Sequence, residues 1–203
     1  MKYLNIIIAI LIFSVACNDK KANEKNTSIT HTAQEEINKQ ESIFNLNSTW
    51  HTEEGKEIQL KDLNGKVLVM VMIYTTCKVA CPRLVADMQN IAKQIPVDKK
   101  NDIQYVLVSI DPTNDTPQKL KEFAINNFMD GEEWTFLQGN ENSVREFANV
   151  LAVKYKEIAP MDFSHSNIIS VFNQSGVLVH QQEGLGVNNK ETIQKIIETA
   201  KSK

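Results

Sequence analysis

Cys77 and Cys81 are separated by three residues and followed directly by Pro82, in a chain that has only three cysteines among its 203 residues. Two thiols at this spacing can close a disulfide, or they can bind a soft metal ion as thiolates. A helix that begins at Pro82 would bring its N-terminal N–H groups to Cys81, where they stabilise a thiolate relative to a thiol. The pair is therefore the first candidate for redox chemistry or metal binding.

The spacing of the pair differs from two common redox patterns. Thioredoxin-type enzymes have two residues between their cysteines, whereas three separate Cys77 from Cys81. Peroxiredoxins have a threonine three residues before the reactive cysteine, and the corresponding positions here hold Tyr74 and Lys78. Neither enzyme pattern is met, and a purely structural disulfide is still open on spacing alone.

His165, in the segment MDFSHSNIISVF, is the third residue with suitable chemistry. It directly precedes a strand-like run that would lie near the cysteines in a thioredoxin-like sandwich. An imidazole and two thiolates form a set soft enough for Cu(I) and able to take Cu(II) with an added oxygen ligand. The same three ligands also suit zinc.

The elements that would position these residues alternate between strands and helices. A continuous apolar run at 67–74 predicts a strand buried on both faces, and apolar residues at helical spacing predict a helix that begins at Pro82. A strand at 103–110 leads to a helix capped by Thr116. The other predicted elements are a hairpin around Glu54-Gly55, a strand at 134–137, a helix at 142–151, a hairpin turning at 174–176 and a helix at 188–200. This order predicts the α/β class, a thioredoxin-like sandwich with a central mixed sheet flanked by helices and an N-terminal hairpin.

The N-terminus predicts export. One lysine precedes a nearly apolar run at 4–16 and small residues before Cys17, as in a secretory signal. The sequence SVAC resembles a bacterial lipobox, in which the cysteine carries the lipid, although Ser14 stands where leucine is usual. We expect a lipoprotein signal peptide at 1–16, a flexible tether at 17–41 with lipidated Cys17, and a folded domain at 42–203. A plain signal peptide without lipidation is the alternative.

The composition fits one ordinary globular domain, with 42% hydrophobic and 23% charged residues. The formal net charge is -3, and no stretch is rich enough in lysine and arginine to follow a phosphate backbone. We therefore expect no nucleic-acid partner.

Five features in order resemble the SCO/SenC family of copper chaperones, over residues 42–200. They are the apolar strand ending at Tyr74, the Cys77-x3-Cys81-Pro82 motif, the segment VSIDPTNDTP at 108–117, the lone histidine of DFSHS and the FNQSG turn. The resemblance implies a membrane-tethered, thioredoxin-fold protein that faces the periplasm or the cell exterior. It implies that one copper ion, as Cu(I) or Cu(II), is bound by Cys77, Cys81 and His165.

The resemblance also implies a partner. Members of the family help to assemble the dinuclear copper centre of a respiratory oxidase, as metal donor, thiol reductant or both. The expected partner is thus an apo copper protein such as subunit II of cytochrome c oxidase, and the expected state is a monomer held at the membrane by its lipid.

The chain departs from the family pattern between the cysteines. Many members have proline and an acidic residue where this chain has Lys78 and Val79, so the loop is less acidic and less rigid. The departure leaves the expected ligand set intact and favours thiol-disulfide work. Asp111 and Asp115 are predicted to form a turn before the helix cap rather than to contact metal.

Three functions stay open at this point. The first is a copper carrier, which is not an enzyme. The second is a thiol-disulfide oxidoreductase that uses Cys77 and Cys81 as its redox-active, catalytic pair and reduces cysteines of an envelope copper protein. The third is a binding domain with a structural Cys77–Cys81 disulfide.

Overall fold

A computed structural model describes residues 41–201 of the protein, and this part of the chain contains nine β-strands and four α-helices. The strands are β1 (Thr49–Thr52), β2 (Glu57–Gln59), β3 (Val67–Ile73), β4 (Ile103–Ser109), β5 (Trp134–Gln138), β6 (Tyr155–Ala159), β7 (Asp162–His165), β8 (Ile168–Phe172) and β9 (Leu178–Glu183). The helices are α1 (Ala80–Gln94), α2 (Pro117–Asn126), α3 (Glu141–Val150) and α4 (Lys190–Lys201).

Seven of the described strands form one mixed sheet in the order β2-β1-β5-β4-β3-β8-β9. Its centre is parallel, because β4 pairs in parallel with both β3 and β5. Antiparallel hairpins complete the two sides, β1–β2 beside β5 and β8–β9 beside β3. The predicted central mixed sheet and N-terminal hairpin are confirmed.

The two central strands explain the continuous apolar runs in the sequence. Every residue of β3 and of β4 is buried, as expected for strands covered on both faces. Their carboxyl ends lie at the same edge of the sheet, since the strands are parallel and in register from Val67 and Ile103 onward. In parallel α/β sheets this edge is where ligand-binding loops gather. The loop of residues 74–79, called the cysteine loop below, leaves β3 at this edge.

Helices flank the sheet. The helix α4 contacts α1 as well as β3, β8 and β9, and α2 contacts β5 through the edge-on rings of Phe123 and Phe136. The helix α3 brings Phe147 edge-on to Trp50 of β1, with ring centroids 5.7 Å apart. None of the helices between residues 41 and 201 has the length and apolar character needed to cross a bilayer.

Element ends differ from the predictions by one or two residues. The helix α1 begins at Ala80, two residues before the predicted start, so Pro82 stands inside the first turn. Proline is tolerated there because the first N–H groups of a helix have no intrahelical partner. Thr116 caps α2 as predicted, and its hydroxyl oxygen accepts a hydrogen bond from the N–H of Lys119.

One element that carries a candidate residue was not predicted. The strands β6 and β7 form a separate two-stranded antiparallel sheet that turns at Pro160 and Met161, and we call residues 155–165 the histidine hairpin. His165 is the last residue of β7, whereas the sequence placed it in front of a strand. β6 is exposed after Tyr155, and β7 alternates between exposed and half-buried residues over only four positions, which is too short to identify a half-buried strand in the sequence.

Candidate metal centre

Cys77 lies in the cysteine loop and is half-buried. Its Sγ accepts a hydrogen bond from the N–H of Cys81 at 3.2 Å, in the first turn of α1. Burial alone would raise the pKa of the Cys77 thiol. Hydrogen bonds from the N–H groups of Cys81 and Val79, and from the side chains of Cys81 and Tyr74, outweigh burial and hold this pKa below the usual cysteine value. Cys77 is thus the cysteine poised to be a thiolate.

Cys81 has the opposite character. It is 0% exposed, and burial raises the pKa of its thiol well above the usual value, helped by the neighbouring charges of Cys77 and Asp115. The sequence predicted a stabilised thiolate at Cys81 because this residue begins a helix. That prediction is wrong, since the N–H of Cys81 in the first turn donates to the sulfur of Cys77 and desolvation of Cys81 dominates its own pKa. Both thiols are free in the structure, with no disulfide between them.

His165 reaches the cysteines from the histidine hairpin. Its Nε2 lies 4.0 Å from the Sγ of Cys81, and its Nδ1 lies 3.1 Å from the carbonyl oxygen of Ser166. A carbonyl oxygen only accepts, so Nδ1 carries the proton and the lone pair of Nε2 is directed toward Cys81. Burial also lowers the pKa of His165, which keeps the ring neutral. A neutral imidazole with a hydrogen-bonded second nitrogen is the usual state of a histidine ligand.

Cys81 contacts both of the other candidate ligands. Its N–H donates to Cys77 Sγ, and its own Sγ lies near His165 Nε2. Within residues 41–201, no group of three or more histidine, cysteine, aspartate or glutamate side chains is already closed around a metal position. Bonds of about 2.3 Å to sulfur and about 2.0 Å to nitrogen together span up to about 4.3 Å. The 4.0 Å between Cys81 Sγ and His165 Nε2 is therefore compatible with one ion between them.

Tyr74 connects the cysteine loop to the histidine hairpin. It is buried, and its hydroxyl lies 2.9 Å from Asp162 Oδ1 and 3.1 Å from the carbonyl oxygen of Phe163. Its ring stands edge-on to the rings of Phe163 and His165, with centroids 5.3 Å and 5.9 Å away. Burial raises the pKa of Tyr74, and hydrogen bonding to Cys77 and Asp162 raises it further. Sequence reasoning gave this residue no role, because its partners lie almost ninety positions away in the chain.

Asp115 holds the start of the cysteine loop. Its carboxylate accepts hydrogen bonds from the N–H of Thr75 at 3.1 Å and from the hydroxyl of Ser109 at 2.6 Å. Burial raises the pKa of this carboxyl although those hydrogen bonds oppose the shift. Asp111 instead binds the side chain and N–H of Asn114 in the turn before α2. The carboxylate of Asp111 thus acts within the predicted turn, whereas the carboxylate of Asp115 reaches beyond that turn to the cysteine loop, a contact that the sequence did not predict.

Two of the three residues between the cysteines, Lys78 and Val79, face solvent. Val79 is 77% exposed, and the side chain of Lys78 has no hydrogen bond or ion pair to any residue of the described part of the chain.

Two further histidines lie away from the cysteines. His51 lies near Glu57, and His180 contacts the hydroxyl of Thr192. Cys17, the predicted lipid site, lies outside the described residues.

A family model described as SCO1/SenC matches residues 38–201. Among curated proteins, the SCO1 protein homolog of Bacillus subtilis is 34% identical over 101 residues, which cover 49% of this chain and 52% of that protein. The chain spans about half to three fifths of the length of the curated relatives it matches.

Solved structures share the fold. A SCO1/SenC family lipoprotein of Bacillus anthracis is 24% identical with a TM-score of 0.69, covering 78% of this chain and 96% of that chain. BsSco, a member of the Sco family of cytochrome c oxidase assembly proteins in which a disulfide switch was identified, is 26% identical with a TM-score of 0.66, covering 76% and 92%. ScoI of Arabidopsis thaliana, solved with copper bound, is 19% identical with a TM-score of 0.64, covering 77% and 97%.

The fold of these neighbours is the thioredoxin-like α/β sandwich described above. The family match extends over most of the chain and includes both cysteines, the turn at Asp111 and the histidine hairpin. The chain therefore belongs to the SCO1/SenC family.

Proposed function

We propose that this protein is a copper carrier that holds one copper ion through Cys77, Cys81 and His165 and passes it to an apo copper protein. The client would be a respiratory-oxidase subunit with a copper centre, such as subunit II of cytochrome c oxidase. The observation that carries the proposal is the position of Cys81, whose sulfur lies 4.0 Å from His165 Nε2 and whose N–H donates to Cys77 Sγ.

The donor set supports copper as cargo. Two thiolates and a neutral imidazole are soft to borderline ligands, which suit Cu(I) and also accommodate Cu(II) when an oxygen ligand is added. Copper bound to a plant relative of the same fold agrees with this choice. Zinc would accept the same three ligands, so a metal competition belongs in the test.

Exposure of the site supports transfer as well as binding. Cys81 is fully buried, whereas Cys77 is half-buried and is followed by the exposed Lys78 and Val79. An incoming thiolate of the client can therefore replace Cys77 first, while Cys81 and His165 still hold the ion. Because Cys81 must lose its proton to become a ligand, copper binding releases protons and weakens as the pH falls.

The proposal includes an exported, lipid-anchored protein. The sequence divides into a signal peptide at 1–16, a tether at 17–41 and a carrier domain at 42–203, with Cys17 as the lipidated residue. A lipobox-like SVAC sequence supports this arrangement, and the related protein of Bacillus anthracis is a lipoprotein. A flexible tether of this length would let the domain reach membrane-embedded clients.

Copper titration tests the proposal. We expect the reduced full chain, kept in mild detergent, to bind one copper ion, and the variants Cys77→Ser, Cys81→Ser and His165→Ala to bind it at least about 10-fold more weakly. His180→Ala is the matched control, since that half-buried histidine contacts Thr192 instead of a cysteine. Unchanged copper affinity and spectrum in His165→Ala would show that the ligand assignment is wrong, and equal affinity for zinc would remove the preference for copper.

The contrast between the two cysteines also favours a second function, reduction of a client disulfide. The Cys77 thiolate would attack one sulfur of the client disulfide, form a mixed disulfide and release the first client thiolate. Cys81 would then lose its proton and attack the Cys77 sulfur, which releases the second client thiol and leaves a Cys77–Cys81 disulfide. The client gains two electrons, and an external dithiol reductant returns the pair to the reduced state.

A comparison of two variants separates the functions. We expect His165→Ala to reduce a protein disulfide at the wild-type rate although it has lost copper affinity, and Cys77→Ser to lose the reaction altogether. Disulfide reduction is followed as release of client thiols over time. Wild-type protein that shows no turnover with the oxidised client would leave copper transfer as the function.

A further inference from the structure

The histidine hairpin has no strand pairing with the seven-stranded sheet. Its residues 156–162 are exposed, and the partly buried side chains of Tyr155 and Phe163 pack against the hydrophobic core, so apolar burial is limited to these two residues and His165. At its base, the N–H of Ser166 donates to the carbonyl oxygen of Lys154 at 2.8 Å, which closes the hairpin on itself. The position of His165 beside Cys81 therefore depends on this packing and on a small number of contacts between the hairpin and the cysteine loop.

Tyr74 makes the central contacts of this kind. Its hydroxyl bonds to Asp162 and to the carbonyl oxygen of Phe163, both in β7. Its ring packs edge-on against His165 itself, 5.9 Å between centroids. Thr76 adds one peripheral contact, from its hydroxyl to the carbonyl oxygen of Met161 at 2.9 Å.

Tyr74 is also the most buried residue of the cysteine loop. It follows directly on β3 in the centre of the sheet, and it is 3% exposed. Its carbonyl oxygen accepts a hydrogen bond from the N–H of Cys77 at 3.3 Å. One side chain thus joins a rigid part of the core, the thiolate-bearing loop and the strand that carries the histidine.

We propose that Tyr74 is a positioning residue whose hydroxyl, through Asp162 and the Phe163 carbonyl, holds the histidine hairpin so that His165 faces Cys81. The expected effect on copper binding rests on the proposed function, whereas the placement of His165 can be measured without metal. A ligand set is effective when its members are preorganised by neighbours of this kind.

The test compares Tyr74→Phe with wild type and with Tyr105→Phe as full chains. Tyr74→Phe keeps the ring and removes only the hydroxyl. Tyr105→Phe makes the same change at a second buried tyrosine, which packs against Trp134 on the central sheet. Hydrogen exchange in the reduced, metal-free protein is followed by mass spectrometry for residues 155–166. Copper affinity is measured by competition with a chelator.

We expect exchange in residues 155–166 to be about 10-fold faster in Tyr74→Phe than in the other two proteins, the factor expected when one buried hydrogen bond is lost. We expect copper affinity to fall by about 10-fold in the same variant, as is typical when a group that orients a metal ligand is removed. Unchanged exchange overturns the proposal, and so does faster exchange with unchanged copper affinity.

A second variant covers the case in which Tyr74→Phe folds poorly. Asp162 is exposed, so Asp162→Ala removes the partner of the hydroxyl without touching the core. We expect faster exchange in Asp162→Ala, and less than additive effects when both changes are combined, because they break the same contact. Fully additive effects contradict the proposal. If wild type fails to bind copper, the proposed function is lost, whereas the exchange results still decide whether Tyr74 positions His165.

Discussion

At the scale of single residues, the two cysteines differ in chemistry because their surroundings differ. Cys77 is half-buried and receives hydrogen bonds that stabilise its thiolate, and Cys81 is fully buried and stays protonated. The two cysteines thus provide one reactive thiolate, at Cys77, and one thiol that is shielded from solvent, at Cys81. This contrast serves both metal exchange at Cys77 and disulfide exchange that starts there.

The contrast leads to a prediction for the metal-free, reduced protein. A lowered pKa keeps Cys77 as thiolate at lower pH, so its alkylation stays fast as the pH falls and slows only below the usual cysteine pKa range. We expect Cys81 to react at least about 10-fold more slowly throughout, because it is buried and its pKa is raised. Iodoacetamide labelling with peptide mass spectrometry across a pH series measures both rates. Faster labelling of Cys81 than of Cys77 would contradict the assignment.

At the scale of elements, the β8–β9 hairpin and the histidine hairpin are held in place by different interactions. The β8–β9 hairpin pairs with the central sheet and turns at Gly176, whose carbonyl oxygen accepts a hydrogen bond from the N–H of Ile43. The histidine hairpin has no such pairing and is held by the packing of Tyr155 and Phe163 against the core and by side-chain contacts with the cysteine loop. The β8–β9 hairpin is therefore anchored by backbone pairing, whereas the histidine hairpin depends on side-chain packing and side-chain hydrogen bonds.

Substitution of Gly176 tests how closely the turn of the β8–β9 hairpin is packed. Gly176 has a φ of +76°, and an added Cβ would lie 2.7 Å from Ser42 Oγ and 2.8 Å from the Phe44 ring. Gly55 has a nearly equal φ of +75° with nothing within 4 Å. We expect Gly55→Ala to cost about 1 kcal/mol of unfolding free energy from backbone strain alone. Gly176→Ala should cost about 2–3 kcal/mol, since overpacking adds to the strain. Equal losses in denaturant unfolding would contradict the close packing at this turn.

At the scale of the whole molecule, the sheet brings the site together from distant parts of the chain. The cysteine loop leaves β3, the turn with Asp115 leaves β4, and His165 arrives on a hairpin between α3 and β8. A ligand bound among these elements links them, so binding is coupled to the stability of the entire domain.

Copper should therefore stabilise the folded protein. At a free copper concentration about 100-fold above Kd, linkage adds about 2.7 kcal/mol to the unfolding free energy. For a domain of this size we expect Tm to rise by about 5–10 °C. Differential scanning fluorimetry of the reduced protein with and without copper measures the shift, and Cys81→Ser is the control that should not respond. An equal shift in that variant would point to copper binding elsewhere.

Much of the fold could be predicted because its signals are local. The buried runs of β3 and β4, the Thr116 cap and the turn at Gly176 each depend on neighbouring residues. The histidine hairpin was not predicted because β6 is mostly exposed and β7 alternates over only four residues, too few for a recognisable hydrophobic period.

The sequence by itself determined the order of elements and the residue types available for chemistry, namely two close cysteines and a histidine. Only the tertiary structure decided which cysteine is the thiolate, that His165 faces Cys81, and that Tyr74 and Asp115 hold the loop between them. The physical reason is that periodicity and capping act over a few residues. Burial, pKa and contacts between residues 40 to 88 positions apart exist only after the chain has packed.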